Sequence, residues 1–460
     1  MHLGMILIKT KMKELILIII FLLTFSGRML FSQKKWTIED CINYAVQNNI
    51  QLKRQKLQTE TYRANLTRSR LNLLPDLNIE TDGNLGFGRS VNPVNNSITF
   101  QENISNSYSI KSSITLFSGF TNLNTLASNK FMFDAGVENE KILLNNLVMK
   151  IMGAFYQVVY SRGLEAAAAK QLESSQKELN RIKKNVEVEK ESVAVQYEME
   201  STVSYNKLLY TEAVNTSRET VTTLKQLLQL EPGTEFEVTL PDLEKVMIEE
   251  RSYRADSLYR IAAENLPRLR EINYELMASK KAVAAAMGAL SPRVIFGGGI
   301  FTGYYEIIAA GVPSQGPFSD QFKGNKSQAV YASLMIPIFN NYSTLKGIKL
   351  AKINRNDTEL RLELEKSNLY ADVENACLNY NSGKDEFVSA LSNFQYASKS
   401  YDVVQKKFEA GLVDVTVYTA AETKLFRADT EKVRTKLQLL IRDLIIKFYA
   451  TGDYKTISIN

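Results

Sequence analysis

Histidine is nearly absent from this chain: the sole histidine, His2, lies in an N-terminal segment that we expect to be removed. Without an imidazole, the remaining chain can have neither Ser-His-Asp or Cys-His catalysis nor a histidine-ligated metal site. Cysteine is almost as scarce, since Cys41 and Cys377 are too few for a thiolate zinc cage. These two could form a disulfide or be two buried thiols in helices, the usual state of free cysteine. We expect no metal and no cofactor.

The chain also lacks a strong excess of either positive or negative charge. Outside residues 1–32 the chain has 52 basic and 49 acidic side chains, with no dense run of Lys and Arg. Proteins that bind nucleic acid concentrate basic side chains on one surface. The even balance therefore argues against a nucleic-acid partner.

Long apolar runs are absent except near the N-terminus. Residues 15–25 are apolar and follow the basic stretch Lys9–Lys13, which is the pattern of a secretory signal peptide. The run is shorter than the ~20 residues of a membrane-spanning helix, and Cys41 lies too far beyond it to be a lipid-modified cysteine. We predict a signal peptide over residues 1–32, and an exported protein in which no later segment approaches a membrane-spanning helix.

What the sequence does have is a strand of membrane length that runs into a very long helix. Apolar and polar side chains alternate from Tyr108 to Leu116, and about 9–11 residues of such alternation can cross a bilayer when tilted. A helical pattern with heptad spacing then continues to Leu230, interrupted near residues 185–194. It predicts a helix of roughly 65 residues, about 100 Å long, and a return helix of nearly 40 residues.

The pattern then occurs a second time. Residues 255–265 align with residues 38–48 at an offset of 217, and Phe339 aligns with Phe117 at an offset of 222. This duplication predicts two structural repeats, residues 33–230 and 255–449, each with helix, strand, loop, strand, long helix and helix. Residues 231–254 link the repeats, and residues 450–460 form a C-terminal tail.

Each repeat supplies two strands, so that one chain supplies four. An open four-stranded sheet in lipid would leave unpaired backbone groups at both edges, and closure needs at least about eight strands. Two copies would supply eight strands and three copies twelve, but eight-stranded barrels have filled interiors. A sheet in a water-soluble protein, with one face exposed to solvent, shows the same alternation. The predicted signal peptide and the long helices favour the interpretation that the sheet lies in a membrane. The expected strands are residues 77–87, 108–116, 294–305, whose faces are blurred by three consecutive glycines, and 330–338, with a loop over residues 88–107.

Four segments together resemble the outer-membrane efflux proteins, the TolC-type export channels, and are most similar to the variety found in Bacteroidetes. They are WTIEDCINYAVQNN (36–49), LLPDLNIE (73–80), ITLFSGF (114–120) and FEAGLVDVTV (408–417). The resemblance implies a membrane α+β fold, in which a trimeric 12-stranded β-barrel with four strands per protomer continues as a long, internally duplicated periplasmic α-helical barrel. It also implies an equatorial girdle formed by residues 231–254 and 450–460.

The function implied by the resemblance is that of an outer-membrane channel subunit in a tripartite efflux or type I secretion system of a Gram-negative cell. Such a subunit conducts substrate passively to the exterior and is not an enzyme. The implied partners are further copies of the chain in a homotrimer, outer-membrane lipid, a periplasmic adaptor (membrane fusion protein) and an inner-membrane pump of the RND or ABC type. Drugs, metal ions, lipids and polypeptides all remain open as cargo.

The resemblance places adaptor docking at the two turns between the long helices. In the second repeat this turn is Gly411, Leu412 and Val413, and the glycine suits a backbone position with positive φ. In the first repeat the turn contains Glu189 and Lys190, with Glu189 in the place of the glycine.

The periplasmic entrance follows the second turn. The best-known members of the family carry carboxylates at positions that are Val417 and Ala420 here, so an acidic gate is not expected at those positions. The nearby acids Asp414, Glu422 and Glu198 could form a charged ring that sets cation preference, or be ordinary solvated charges at helix ends. The polar residues of the first two strands are expected to line the barrel lumen: Asn78, Glu80, Asp82, Ser109, Lys111, Ser113 and Thr115.

Two other classes of protein remain open. A periplasmic coiled-coil adaptor or spacer also has helical hairpins, but it should show a single hairpin flanked by small β-domains. An exported glycosidase could work with carboxylates alone, but helices of this length leave little scaffold for a substrate cleft. The duplicated pair of strands favours the channel over both.

Overall fold

The computed structural model describes residues 35–91, 96–100, 102–241, 253–308 and 313–452. The predicted signal peptide lies outside these residues. Most of the tail at 450–460 and residues 242–252 of the linker also lie outside them.

The first repeat contains α1 (Ile38–Asn48), α2 (Ile50–Leu71), β1 (Asn78–Gly86), β2 (Arg89–Val91), β3 (Ile98–Phe100), β4 (Glu102–Phe117), α3 (Thr121–Glu187) and α4 (Val193–Leu228). The second contains α5 (Ala255–Asn265), α6 (Pro267–Gly288), β5 (Arg293–Ile308), α7 (Phe318–Gly324), β6 (Ser327–Met335), α8 (Ser343–Glu409) and α9 (Val415–Thr451). The helices α3 and α8 have 67 residues each, and the return helices α4 and α9 have 36 and 37. These lengths agree with the heptad pattern.

The segment from Thr37 to Leu74, whose pattern predicts one helix, is two helices. Thr37 and Asp40 form a capping box at the start of α1. Asn49 then begins a new helix, because its side-chain oxygen accepts hydrogen bonds from the backbone N–H groups of Gln51 (2.9 Å) and Leu52 (3.1 Å). Buried residues continue at helical spacing across this break, through Ala45, Asn49 and Leu52, so the sequence pattern alone conceals it.

Four strands form one antiparallel sheet in the order β1-β4-β5-β6, which confirms the prediction of four strands per chain. The register of the sheet repeats as the sequence does. Asn78 pairs with Lys111, and their equivalents in the second repeat, Ile295 and Ser333, pair with each other in the same way. The duplication is therefore preserved at the level of single pairs of residues across neighbouring strands.

The prediction of a loop over residues 88–107 is wrong in part. The strand β4 begins at Glu102, and the hairpin of β2 and β3 lies within the same segment. Asn106 places a polar side chain where the alternation of Ile104 and Tyr108 requires an apolar one. The strand period therefore becomes visible in the sequence only from Tyr108 onward.

The helices next to the sheet keep the order of the strands. Contacts join α2 to α3, α3 to α6 and α6 to α8, so the row α2-α3-α6-α8 continues the row β1-β4-β5-β6. One apolar cluster joins α1, α3, α4 and α9 around Ile151 and Leu224, and a second joins α5, α6, α8 and α9 around Leu369 and Ile446. A third cluster lies at the far turns.

The helix α3 departs from the expectation that no later segment approaches a membrane-spanning helix. It contains an 18-residue window with a mean hydropathy of 1.4, which is long and apolar enough to cross a membrane by length and composition. Ile151, Phe155 and Val158 of α3 are buried in the cluster with α1, α4 and α9. Packing between helices accounts for their apolar character.

Candidate functional site

One face of the sheet is polar. Because side chains alternate along each strand and antiparallel partners share a face, the register places the predicted lumen residues on the same side. Lys111 forms an ion pair with Glu80 across β1 and β4, and Ser107 Oγ donates a hydrogen bond to Asp82 Oδ2 (3.2 Å). The predicted residues on this face are Asn78, Glu80, Asp82, Ser109, Lys111, Ser113 and Thr115.

The opposite face is apolar and exposed. Ile79, Val330 and Leu334 are 79%, 74% and 63% exposed, and Ile79 pairs with Ile110, which pairs with Ile300. A sheet in a water-soluble protein buries its apolar face against other elements. A sheet that leaves this face bare and turns its polar face inward has the arrangement of a barrel in lipid.

The short helix α7 covers the part of β5 that extends beyond β6. The Gln321 side chain accepts a hydrogen bond from the backbone N–H of Tyr305 (3.0 Å) and donates one to its carbonyl oxygen (3.0 Å), as a neighbouring strand would. The Phe322 ring lies against Tyr108 on the apolar face, with ring centroids 5.4 Å apart. By contrast, β1 and β6 have no partner on their outer sides among the described strands.

A tyrosine that sequence reasoning missed lies on the polar face. Tyr331 pairs with Gly297, and a Cβ atom at Gly297 would be 2.7 Å from the Tyr331 ring. The ring therefore fills the space above the glycine, which is a known way to support glycine in a strand. The glycines 297–299 conceal the period of β5, so no sequence pattern indicates that Tyr331 packs on Gly297.

Aromatic side chains surround the point where strands pass into long helices. Phe120 and Tyr342, equivalent in the two repeats, both adopt a left-handed backbone with φ of 61° and 65°. Their side chains are exposed, as is that of Phe339. Exposed aromatic rings at the ends of barrel strands are typical of the membrane–water interface.

The two predicted docking turns adopt the same geometry at the far end of the helices. Glu189 has φ of 59° and Gly411 has φ of 72°. The N–H of Lys190 bonds to the carbonyl of Asn185 (2.8 Å), and the N–H of Leu412 bonds to that of Lys407 (2.8 Å), as in a Schellman helix end. The non-glycine residue in the first turn therefore does not change its shape.

A shared apolar cluster holds the two turns side by side. Ile182 and Met199 from α3 and α4 pack with Phe408 and Tyr418 from α8 and α9. The Phe408 and Tyr418 rings stack 4.6 Å apart, and the Arg181 guanidinium lies 5.0 Å from the Phe408 centroid. Leu412 and Lys190 stay exposed at the tip, while Val413 packs partly against the cluster.

The entrance candidates on α4 and α9 lie close to these turns. Asp414 caps α9 by accepting a hydrogen bond from the N–H of Val417 (2.9 Å), and Val417 and Ala420 are exposed. Thr416 Oγ1 donates a hydrogen bond to Glu198 Oε1 (2.6 Å). This bond joins α4 to α9 and so ties the two helical hairpins together near their tips.

Glu422 differs from the other candidates because it is buried. It lies between α3 and α8, with Tyr401 and Tyr418 nearby, and only 7% of it is exposed. Burial raises the pKa of the Glu422 carboxyl, and a hydrogen bond with Ser174 opposes this rise. Burial also raises the pKa of Tyr418, whose hydroxyl lies 3.1 Å from that of Tyr401.

A polar groove between α4 and α9 was also missed. Its volume is about 1030 Å³, and hydroxyl groups line it on both helices. The side-chain nitrogen of Asn206 at its wall is buried without a hydrogen-bond partner. The groove forms where α4 and α9, which are far apart in the sequence, lie side by side. No local sequence pattern therefore predicts it.

The described residues contain no group of three His, Cys, Asp or Glu side chains that could hold a metal ion. Cys41 and Cys377 are both buried free thiols, which settles the question of a disulfide between them. Burial raises the pKa of Cys41 to about 12, so this thiol is inert at neutral pH.

Residues 258–447 match the model of a protein family described as outer membrane efflux protein. No curated protein matches this chain. The chain is similar in fold to CusC, with a TM-score of 0.76 and 16% identity over 92% of this chain and 95% of CusC. The structure of CusC is described in terms of folding and transmembrane channel formation.

Two further solved structures share this fold. One is the CmeC outer membrane channel of Campylobacter jejuni, with a TM-score of 0.78 and 15% identity over 90% of this chain and 85% of CmeC. The other is the open state of the MtrE outer membrane channel of Neisseria gonorrhoeae, with a TM-score of 0.71 and 18% identity over 91% of this chain and 89% of MtrE.

Proposed function

We propose that this chain is an outer membrane efflux protein, because residues 258–447 match the model of that family, and that three copies of it close into one tube that conducts substrate passively out of the cell. In this proposal it is an outer-membrane channel whose helices extend into the periplasm, and the support is the fold that it shares with the CmeC and MtrE outer membrane channels. The family and the similar structures are channel proteins rather than enzymes. The alternative of a periplasmic adaptor is not favoured.

The observation that carries this proposal is the open four-stranded sheet, whose outer strands β1 and β6 pair on one side only with the strands that the structure describes. Each edge strand, β1 and β6, has 9 residues, enough to cross a bilayer when tilted. In hydrocarbon each unpaired backbone group costs several kcal/mol. Pairing β6 of one copy with β1 of the next removes both edges in every copy, and three copies give a barrel of twelve strands.

The polar face of the sheet forms the lumen in this arrangement. Ions and small solutes would pass between rings of Glu80, Asp82 and Lys111, each present three times. No bond is made or broken, so the protein needs only a continuous wet path. The periplasmic entrance would be formed by Asp414, Val417, Ala420 and Glu198. We leave the buried Glu422 out of this ring.

The two turns are the proposed docking surface for a periplasmic adaptor. Four exposed residues of these turns lie together at the tip: Glu189, Lys190, Gly411 and Leu412. An adaptor bound there would connect the channel to an inner-membrane pump. The linker at 231–254 and the tail at 450–460 would form the girdle around the middle of the helices. The cargo would be chosen by the pump, of the RND or ABC type.

Conductance of the purified oligomer in a planar lipid bilayer tests the proposal. We expect discrete current steps, which become larger or more frequent in Glu198→Ala because this change removes the hydrogen bond between α4 and α9. Glu187→Ala, an exposed glutamate near the same turn, is the matched control and should leave the current unchanged. Persistent absence of current in both the native protein and Glu198→Ala would contradict the proposal.

A further inference from the structure

Two helices of the protomer each leave exposed a stripe of mainly apolar residues that also contains charged side chains. On α2, the exposed residues Ile50, Arg54, Leu57, Thr61 and Ala64 follow one another in steps of four and three, and we call them the α2 seam. On α8, the exposed residues Lys346, Leu350, Ile353, Asp357 and Leu360 follow the same steps, and we call them the α8 seam. Such spacing is that of a helix face that packs against another helix.

These seams have equivalents elsewhere in the chain that are in contact. The helix α3 is equivalent to α8 and α6 is equivalent to α2, by the offsets of the duplication. In the α3–α6 pair, Ser128 Oγ donates a hydrogen bond to the carbonyl of Ala278 (2.9 Å). The Phe131 ring stacks on Tyr274 with centroids 6.4 Å apart.

The offsets of the duplication assign to each of these contacts a pair of equivalent residues on α2 and α8, and these equivalents are exposed. Phe131 and Tyr274 correspond to Ile353 and Leu57, which are 51% and 68% exposed. Ser128 and Ala278 correspond to Leu350 and Thr61. Within one copy these equivalents do not meet, because α2 and α8 lie at opposite ends of the row α2-α3-α6-α8.

Charge on the seams is complementary at the same register. One heptad beyond the pair Leu350 and Thr61, the correspondence brings Asp357 opposite Arg54. Neither side chain forms an ion pair or a hydrogen bond with another described residue. An Arg and an Asp that both lack a partner among the described residues of one copy, and that meet in the same register as the apolar pairs, favour one alignment over its neighbours.

We propose that the α2 seam of one copy packs antiparallel against the α8 seam of the next copy, with Leu57 on Ile353 and Arg54 paired with Asp357. The contact between copies then repeats the contact between α3 and α6 within each copy. This inference rests on the proposed ring of three copies and specifies which surfaces meet and in which register.

The proposed contact between α2 and α8 stops resembling the α3–α6 contact near the end of the helices that adjoins the strands. At the top of the α3–α6 pair the backbones of Gly119 and Gly288 touch, since a Cβ atom at Gly119 would be 2.2 Å from the Gly288 carbonyl oxygen. Their equivalents are Asn341 and Leu71, whose side chains prevent an equally close approach. The seams therefore diverge there, and the proposed contact covers residues 50–64 and 346–360.

Cysteine cross-linking tests the register. In a Cys41→Ala, Cys377→Ala background, Leu57→Cys with Ile353→Cys should form a disulfide between copies and give a ladder that ends at three linked chains. The control joins Leu57→Cys with Leu378→Cys, which is also exposed but lies about 37 Å further along α8. The control should remain single chains. Equal linking in both variants, or none in the first, would overturn the proposed register.

Charge reversal gives a second measurement that does not depend on disulfide geometry. Arg54→Asp and Asp357→Arg each place like charges together and should shorten the lifetime of the trimer in detergent about tenfold or more. The double variant Arg54→Asp, Asp357→Arg should restore it. If the double variant shortens the trimer lifetime by both losses combined, while the protein still forms conducting trimers, the proposed contact between the α2 seam and the α8 seam is wrong and the proposed function stands. If neither trimers nor current are found, the proposed function itself fails.

Discussion

Glu189 and Gly411 lie 222 residues apart in the chain and adopt the same left-handed backbone, with φ of 59° and 72°. A left-handed φ costs an L-residue roughly 1–2 kcal/mol more than glycine. The first turn therefore holds strain that the second turn avoids, although both end their helices with equivalent hydrogen bonds.

Glu189→Gly should stabilise the first turn by about 1 kcal/mol, because glycine adopts positive φ without a Cβ clash. Hydrogen exchange of the amides at residues 185–195 measures this, and we expect about fivefold slower exchange. Lys190→Gly is the matched control: Lys190 does not have a positive φ, so exchange should become faster. Faster exchange in Glu189→Gly as well would contradict the account of strain.

Gly411→Ala should destabilise the second turn by a similar amount. No atom lies within 4 Å of a Cβ placed at Gly411, so the cost comes from the backbone alone and is expected to be about 1 kcal/mol. Exchange at residues 407–415 should become about fivefold faster. An unchanged rate would show that this turn does not depend on glycine.

Glu422 should make the tip of the helices sensitive to pH. Its raised pKa means that the folded protein favours the protonated carboxyl, so its contribution to stability is largest in acid and falls as pH rises through the raised pKa. Tyr401 on α8, Glu178 on α3 and Tyr418 on α9 face it, while Lys170 and Asp429 line the adjacent cavity.

Glu422→Gln should remove this sensitivity. We expect the native tip to lose protection from hydrogen exchange, corrected for intrinsic rates, as pH rises from the ordinary glutamate pKa of 4.5 through the raised pKa of Glu422, by at most about tenfold per pH unit for one proton. The glutamine variant should keep its protection across that range. Glu187→Gln, exposed at the tip, should behave like the native protein. Loss of protection in Glu422→Gln equal to the native loss would argue against a protonated carboxyl.

Neighbouring residues on β4 should respond in opposite ways to the same substitution. Ile110 lies on the apolar face and Ser109 on the polar face. Ile110→Lys should cost about 2–4 kcal/mol near the bilayer midplane, whereas a lysine facing the lumen remains solvated. The fraction of protein that folds into lipid vesicles should fall for Ile110→Lys and stay high for Ser109→Lys. The reverse order would mean that the faces are assigned the wrong way round.

Charge on the polar face should set ion preference. Lys111→Gln leaves Glu80 and Asp82 without the opposing charge, so the reversal potential in a salt gradient should shift toward cations. Glu80→Gln should shift it the other way. Lys323→Gln is the control. Lys323 lies on α7, which packs on the apolar face through Phe322, so this substitution should leave the reversal potential unchanged. Equal shifts in all three variants would place Lys111 and Glu80 outside the conducting path.

The sequence predicts the long helices, their turns and the four strands because heptad spacing and alternation are local patterns, and the duplication supplies each of them twice. It predicts neither the break at Asn49 nor the start of β4 at Glu102. In these places a single polar side chain, Asn49 or Asn106, alters the hydrogen bonding or hides the period. Such effects depend on one residue and leave the surrounding pattern unchanged.

The candidate site is less visible in the sequence than the fold. The polar face of β1 and β4 could be predicted because its alternation is clear, but Tyr331 could not, because glycines mask its partner strand. Glu422 lies near the tip in sequence as expected, yet its burial depends on how α3, α8 and α9 pack together. The equal geometry of Glu189 and Gly411 likewise becomes apparent only when the two turns are compared in space.

In the proposed channel, a single copy supplies one third of a closed wall. The mass of the intact particle released from lipid or detergent tests this most directly, in the native protein without cross-linking. We predict a particle of three chains, with no stable species of one or two. A membrane-inserted particle of one chain, with four strands, or of two chains, with eight, would contradict the account.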